Sequence, residues 1–125
     1  MNRFGCGCWA ANETEEISGA AVSCTGTGED IILSLLAKEC FDNIKNDFID
    51  EGIKKSLNEI FENKQSKKKQ VGLIALKKEK EIIEFSFGFT THSMGICYFS
   101  NKMKNPIAII RTNENSKTQI EVIKI

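Results

Sequence analysis

The spacing of apolar residues along the chain changes period twice. Ala20, Ala21 and Val22 form a short apolar run that reads as a buried strand. The spacing then widens to four: Ile32, Leu36, Cys40 and Ile44 recur with Leu33, Ala37 and Phe41 beside them, which is one face of a helix. A second ladder of Ile49, Ile53, Leu57, Ile60 and Phe61 predicts another helix after Asp47, broken from the first near Asp50-Glu51-Gly52. Beyond it, Val71 to Leu76 is a continuous apolar run that suits a strand buried on both faces. Ile83, Phe85, Phe87 and Phe89 then alternate with Glu84, Ser86 and Gly88, and Lys77 to Lys80 would join the two strands as a hairpin. Met94 to Phe99, Pro106 to Arg111 and Glu121 to Ile125 predict further strands, and residues 4–10, ending in Trp9 and Ala10, predict a buried one near the start. Strand, helices, then several strands is the order of an α+β layer structure, in which an antiparallel sheet carries helices on one face.

The connections differ in character. Asn12 to Ser18 is polar, and "ENKQSKKKQ" at 62–70 is a solvated lysine-rich surface loop with no interleaved aromatic residue to stack on a base. In "TTHS" at Thr90 to Ser93, hydroxyls and an imidazole either face a site or hold their own turn by side-chain hydrogen bonds.

The connection that points to chemistry is "SCTGTGED". Thr25-Gly26-Thr27-Gly28 lies between the first strand and the first helical ladder, so it is a strand-to-helix turn. Glu29 and Asp30 fall where acidic side chains favour the positive helix end, and Thr27 or Gly28 can serve as the cap. Free N–H groups point out of such a loop, and without a Cβ at Gly26 and Gly28 another backbone, a phosphate or an oxyanion can approach them. A P-loop requires Gly-Lys followed by Ser or Thr, but Glu29 follows Gly28. A dinucleotide loop requires a third glycine where Ile31 stands. What remains is an oxyanion hole built from the Thr25 hydroxyl and the Gly26 N–H, or a tight turn before a capped helix.

Composition narrows the class without naming a partner. The chain has 125 residues, 41% hydrophobic and 27% charged, as in one globular domain. Its 17 basic residues balance its 17 acidic ones, so charge indicates neither nucleic acid nor a membrane surface. No segment reads as a signal peptide or a membrane span, which places the protein inside the cell, in cytoplasm or nucleus. Five cysteines, Cys6, Cys8, Cys24, Cys40 and Cys97, suit reduced thiols better than a disulfide framework. A zinc site from Cys6, Cys8 and His92 is weak, because Cys-x-Cys turns its thiols to opposite faces of a strand.

Two stretches carry a family resemblance. "GCGCWAANETEEISGAAVSCTGTGEDIILSLLAKEC" followed by "IIEFSFGFTTHSMGICYFS" resembles the C-terminal part of the threonine aspartases, within the asparaginase and isoaspartyl peptidase family. "GCGCWA" is close to the threonine aspartases alone, and "SCTGTGE" to the wider family. The resemblance implies an N-terminal nucleophile hydrolase with an αββα sandwich and no cofactor. In such enzymes a precursor cleaves itself before a threonine, whose hydroxyl then attacks a carbonyl with its own amine as base. It further implies that Thr25 lends its hydroxyl and Gly26 its N–H to the oxyanion hole, and that Gly28 keeps the backbone close to the substrate. The substrate would be a peptide cut after aspartate, or an asparagine-type amide. The implied partner is the α-subunit portion of the same precursor, in a heterodimer or (αβ)2 assembly. Threonine aspartases carry serine then glycine where Thr25-Gly26 stands, so this loop reads more like the asparaginase branch. The nucleophile and the substrate-carboxylate arginine lie upstream of "GCGCWA" in the family. Neither Thr14, Thr25, Thr27, Thr90, Thr91, Thr112 and Thr118 nor Arg3 has the required context. The expectation is a partial single domain, 1–125, that lacks the nucleophile. With the rest of the sandwich missing, Val71 to Leu76 and Phe85 to Phe89 would leave apolar area exposed, so the chain alone would aggregate or dimerise.

Overall fold

Among the described residues, three helices lie on one face of a five-stranded antiparallel sheet, and a two-stranded hairpin lies against part of the other. The computed structural model describes residues 5–62, 69–113 and 118–125. The chain runs β1 (Cys8–Ala11), β2 (Gly19–Gly26), α1 (Gly28–Ser34), α2 (Leu36–Lys45), α3 (Ile49–Glu62), β3 (Val71–Glu79), β4 (Ile82–Phe89), β5 (Ser93–Tyr98), β6 (Ile107–Thr112) and β7 (Gln119–Lys124). The large sheet has the order β1-β2-β3-β4-β7, and β5 pairs with β6 apart from it. The α+β architecture is the expected one. Most of the 62–70 loop lies outside the described residues.

The helix-facing side of the sheet is the core. Val22 of β2 and Leu73 and Ala75 of β3 meet Leu36, Ala37, Cys40 and Ile44 of α2 and Ile53 and Leu57 of α3. The single helix expected from Ile32 to Ile44 is two, split at Leu35, which adopts a left-handed conformation (φ 48, ψ 46). The split frees the first N–H groups of α2, and the segment before β1 satisfies them. Ala37 N–H donates to the Cys6 carbonyl (3.2 Å) and Lys38 N–H to that of Gly5 (3.0 Å). That role also explains why the described part of the segment, residues 5–10, is not the buried strand expected of residues 4–10, of which Phe4 lies outside the described residues. Cys6 is buried where it meets the helix, while β1 is a short, mostly exposed edge.

Gly52 does not break the helices. It lies inside α3, where a Cβ would stand 2.5 Å from Ile44 Cγ2 and 2.9 Å from the Ile44 backbone, so α2 and α3 cross at this residue. Asn43 Nδ2 donates to Ser56 Oγ (2.8 Å) and Ser56 Oγ to the Gly52 carbonyl (2.9 Å), which joins the two helices beside the crossing. The actual break is at Asn46 to Phe48. There the Lys77 ammonium, reaching from β3, donates to the Asp47 carbonyl.

The continuous apolar run of β3 is not buried on both faces. Val71, Leu73 and Ala75 face the helices, whereas Ile74 is 38% exposed and Leu76 41% on the opposite face. Cross-strand pairing of Leu76 with Phe85, Ile74 with Phe87 and Gly72 with Phe89 puts the three phenylalanines on that opposite face too, yet all three are buried. The β5–β6 hairpin covers them through Met94, Ile96, Tyr98 and Ile109, and Arg111 of β6 makes a two-point ion pair with Glu121 of β7 (2.6 and 3.3 Å). The apolar exposure expected for this face is therefore confined to its β1–β3 half. On the helix side of β4, Gly88 admits Ile53 and Leu57, and buried Ser86 donates to the Glu121 carbonyl (2.6 Å).

Gly52→Ala should lower stability by about 1–3 kcal/mol, because the added methyl meets Ile44 backbone that cannot step aside. Denaturant titration of both chains measures it, and equal midpoints would exclude a tight crossing at this residue.

Candidate functional site

The Thr25 to Gly28 loop is shaped by its own neighbours. Thr25 and Gly26 are the last residues of β2, opposite Gly72 and Val71, and the Thr27 N–H continues the pairing by donating to the Gln70 carbonyl (2.9 Å). Gly26 has φ 123, and a Cβ there would stand 2.4 Å from the Gln70 oxygen and 2.7 Å from Val71 Cα. Of the guests considered for this glycine, the one present is another backbone, that of β3. At Gly28, by contrast, a Cβ would meet nothing within 4 Å. It is the first residue of α1 and borders open space.

Thr25 is exposed on the face of the sheet away from the helices. Its neighbour across the ladder, Gly72, has Met94 Sδ 2.9 Å and Thr25 Cγ2 3.4 Å from its ideal Cβ position. Thr25 thus stands at the margin where the hairpin's cover ends. Thr27 occupies the N-cap position of α1 in an extended conformation (φ −67, ψ 109), but its side chain makes no capping hydrogen bond. The capping expected of its hydroxyl is absent, and Thr27 is engaged instead through its backbone N–H with the Gln70 carbonyl. Asp30, expected only to favour the helix dipole, is buried, and its Oδ2 accepts the Lys69 N–H (2.9 Å).

That bond is one part of a clamp that sequence reasoning missed. Lys69 is left-handed (φ 53). Asp30 holds its N–H, the Thr90 hydroxyl donates to its carbonyl (2.7 Å), and its ammonium reaches the Phe61 carbonyl. Thr90 Oγ1 also accepts the Val71 N–H (3.0 Å), and Thr90 N–H donates to the Val71 carbonyl (2.8 Å). Of the two readings of "TTHS", the second fits Thr91, whose hydroxyl donates to the Ser93 carbonyl (2.9 Å). Thr90 instead secures the start of β3, the strand that presses on Gly26. In the sequence Asp30 shows only as an acidic residue in a helix's first turn, which marks the dipole and not the bond to Lys69, and nothing local marked Thr90.

The family profile described as asparaginase matches residues 3–109, a span that includes the loop, α1 to α3 and β5, and ends within β6. The chain belongs to the asparaginase family. No curated protein matches it. Asparaginase-family proteins are hydrolases of the N-terminal nucleophile kind, and the layering of helices, sheet and second sheet in this asparaginase-family chain is of that fold.

All five cysteines of this asparaginase-family chain are free. Burial pushes the Cys40 thiol up to about 12, against a hydrogen bond with Ser56 that lowers it. Burial raises Cys24 further still, reinforced by nearby Cys40, Cys8 and Cys6. Both thiols are therefore neutral and unreactive at ordinary pH. His92 is exposed in the β4–β5 turn, and the described residues hold no group of three or more His, Cys, Asp and Glu placed to bind a metal. No helix of the described residues is long and apolar enough to cross a membrane.

Two measurements check this account. Thr27→Ala should change stability by less than about 0.5 kcal/mol, while Thr90→Val, which strips Lys69 and Val71 of their partner, should cost about 1–3 kcal/mol. Chemical denaturation ranks them, and the reverse order would restore the capping role of Thr27. Because the folded state raises the Cys40 pKa, its stabilising contribution is complete below the ordinary thiol value of 9.0 and is lost as pH rises toward 12. Melting temperature should fall across that window less steeply in Cys40→Ala than in the parent; parallel curves would exclude Cys40 as a source of the slope.

Proposed function

We propose that the chain contributes the oxyanion-stabilising side of a threonine-type hydrolase, an endopeptidase of the threonine aspartase kind that cleaves after aspartate. The observation that carries this reading is the pairing of an exposed Thr25 hydroxyl, on the uncovered face of the sheet, with a Gly26 backbone fixed at φ 123 by the start of β3. A donor held rigidly before charge develops stabilises a transition state more than one that must reorganise. In the reaction, a threonine hydroxyl from the upstream part of the precursor attacks the substrate carbonyl, and its amine takes the proton. The carbonyl oxygen becomes an oxyanion that accepts from Thr25 Oγ1–H and Gly26 N–H. The open space beside Gly28 leaves room for substrate backbone. The α-subunit portion of the precursor is the partner, in a heterodimer or (αβ)2 assembly. The free thiols fit an intracellular enzyme.

A second reading, an asparaginase or isoaspartyl peptidase acting on a small amide, draws support from Thr25-Gly26 itself, since threonine aspartases carry serine and glycine there. The choice between them rests on "GCGCWA" against the loop, and on substrate preference in the assay below. A non-catalytic remnant of the same fold is the outcome in which neither substrate is turned over.

The 125-residue chain alone should release no product from asparagine, isoaspartyl dipeptides or aspartate-containing peptides. Joined to an upstream segment that bears the nucleophile, it should become active. Thr25→Ala should then lower kcat by about 10²–10³ with little change in KM, and Thr25→Ser should remain active. Full turnover by Thr25→Ala would remove Thr25 from the oxyanion hole.

A further inference from the structure

Two bonds tie the Thr25 to Gly28 loop to the start of β3 and close a small ring. The Thr27 N–H donates to the Gln70 carbonyl (2.9 Å), and further on, in the first turn of α1, Asp30 Oδ2 accepts the N–H of Lys69 (2.9 Å). The first bond continues the β2–β3 ladder. The second lies outside it, at Lys69, whose left-handed conformation (φ 53) precedes the strand.

A residue with a side chain keeps such a φ only where its surroundings enforce it. Lys69 has anchors on three sides: Asp30 on its N–H, the Thr90 hydroxyl on its carbonyl (2.7 Å), and the Phe61 carbonyl at its ammonium. Asp30 is the anchor that comes from the loop's own helix. It is 3% exposed, and a carboxylate buried so deeply is costly, so an apolar side chain would fill the place more cheaply. What an apolar side chain lacks is an acceptor, which selects one conformation of the Lys69 backbone. That conformation sets the Gln70 carbonyl, 2.4 Å from the ideal Cβ position of Gly26. The Cys24 N–H meets the Gly7 carbonyl (2.8 Å) on the β1 side, so by the alternation of the ladder the Gly26 N–H turns to that side too, beyond Gly7 and away from β3. The donor is thus left unspent by the strand that fixes its place.

We propose, resting on the hydrolase reading, that Asp30 is a positioning residue of the oxyanion hole: through Lys69 and Gln70 it holds the Gly26 N–H and the adjoining Thr25 hydroxyl where charge develops on the substrate carbonyl. Asp30 touches neither substrate nor reacting atoms. An oxyanion hole is effective because its donors need no reorganisation as charge develops, and a displacement of about 1 Å forfeits much of the effect. Loss of Asp30 therefore slows the chemical step and leaves binding nearly as it was.

The test uses the chain joined to the upstream segment that bears the nucleophile. Asp30→Ala should lower kcat by about 10–10²-fold with KM within about twofold of the parent, and Asp30→Asn, whose amide oxygen still accepts the Lys69 N–H, should recover most of the loss. Asp30→Leu, similar in size and without an acceptor, should match Asp30→Ala and replaces it if the alanine variant does not fold. Adding Thr25→Ala to either should cost less than the two separate losses multiplied, since both act through one hole. Gly52→Ala, which strains the α2–α3 crossing, controls for destabilisation and should keep the parent's kcat. In the 125-residue chain, where no turnover is needed, loss of the Asp30 carboxylate should speed amide exchange at Thr27 and Val71 at least about tenfold while Ile53 and Leu57 in α3 exchange as in the parent. A parent-like kcat in Asp30→Leu, no rescue by Asp30→Asn, or exchange that rises equally in α3 and the loop would overturn the proposal. Undiminished turnover in Thr25→Ala would remove the hydrolase reading and the role of Asp30 with it, whereas a slow Thr25→Ala beside a parent-like Asp30→Leu would remove the role of Asp30 alone.

Discussion

The contact between Gly26 and the backbone of Gln70 and Val71 sets the shape of everything around the loop. With 2.4 Å between a notional Cβ and the Gln70 oxygen, no residue with a side chain fits there, and no retreat of β3 is available. Asp30 and Thr90 hold Lys69 from both sides, and Thr90 closes a cycle of three bonds with Lys69 and Val71. The end of β2 is therefore defined less by its own sequence than by a strand more than forty residues later. A buried carboxylate and a buried hydroxyl are costly unless satisfied, and here both spend their hydrogen bonds on one backbone segment.

The helical layer and the hairpin have different strengths. On the helix side, burial is nearly complete: Ala37, Cys40, Ile44, Ile53 and Leu57 have no exposed surface, and Gly52 and Gly88 are the points where helix meets helix and helix meets sheet. On the other side, a smaller cluster of phenylalanines is closed by two strands and one exposed ion pair, Arg111 to Glu121. Such an ion pair adds little in water, so the hairpin is held chiefly by its aromatic and aliphatic packing on Phe85, Phe87 and Phe89.

Periodicity made the layers legible and failed where distant partners decide. The ladders of Ile32 to Ile44 and Ile49 to Phe61 and the alternation of Ile83 to Phe89 located helices and strands correctly, because burial on one face imposes those periods directly. Gly52 was misread as a break because a glycine in a helix has the same local signature whether it ends the helix or admits a neighbour. Leu35 was invisible as a helix boundary: the carbonyls of Gly5 and Cys6 that satisfy the helix start it creates lie far off in sequence. Val71 to Leu76 looked doubly buried since an apolar run carries no record of whether its second face is covered. In the site, Thr25, Gly26 and Gly28 were legible from the small residues between a strand and a helix. The Asp30 and Thr90 clamp was not, as each forms its bonds with a backbone 19 to 39 residues away in sequence.

The two pairings of β3 differ greatly in chain length enclosed. Joining β3 to β4 closes only the tight turn at Lys80 and Glu81, whereas joining β3 to β2 encloses all three helices between Gly26 and Val71. Loop-closure entropy must be overcome before distant contacts can compensate for it, and local pairings meet it first. The β3–β4 pairing therefore closes at low cost in chain entropy, whereas the pairing that fixes the strand end carrying Thr25 and Gly26 must order all three helices' length of chain.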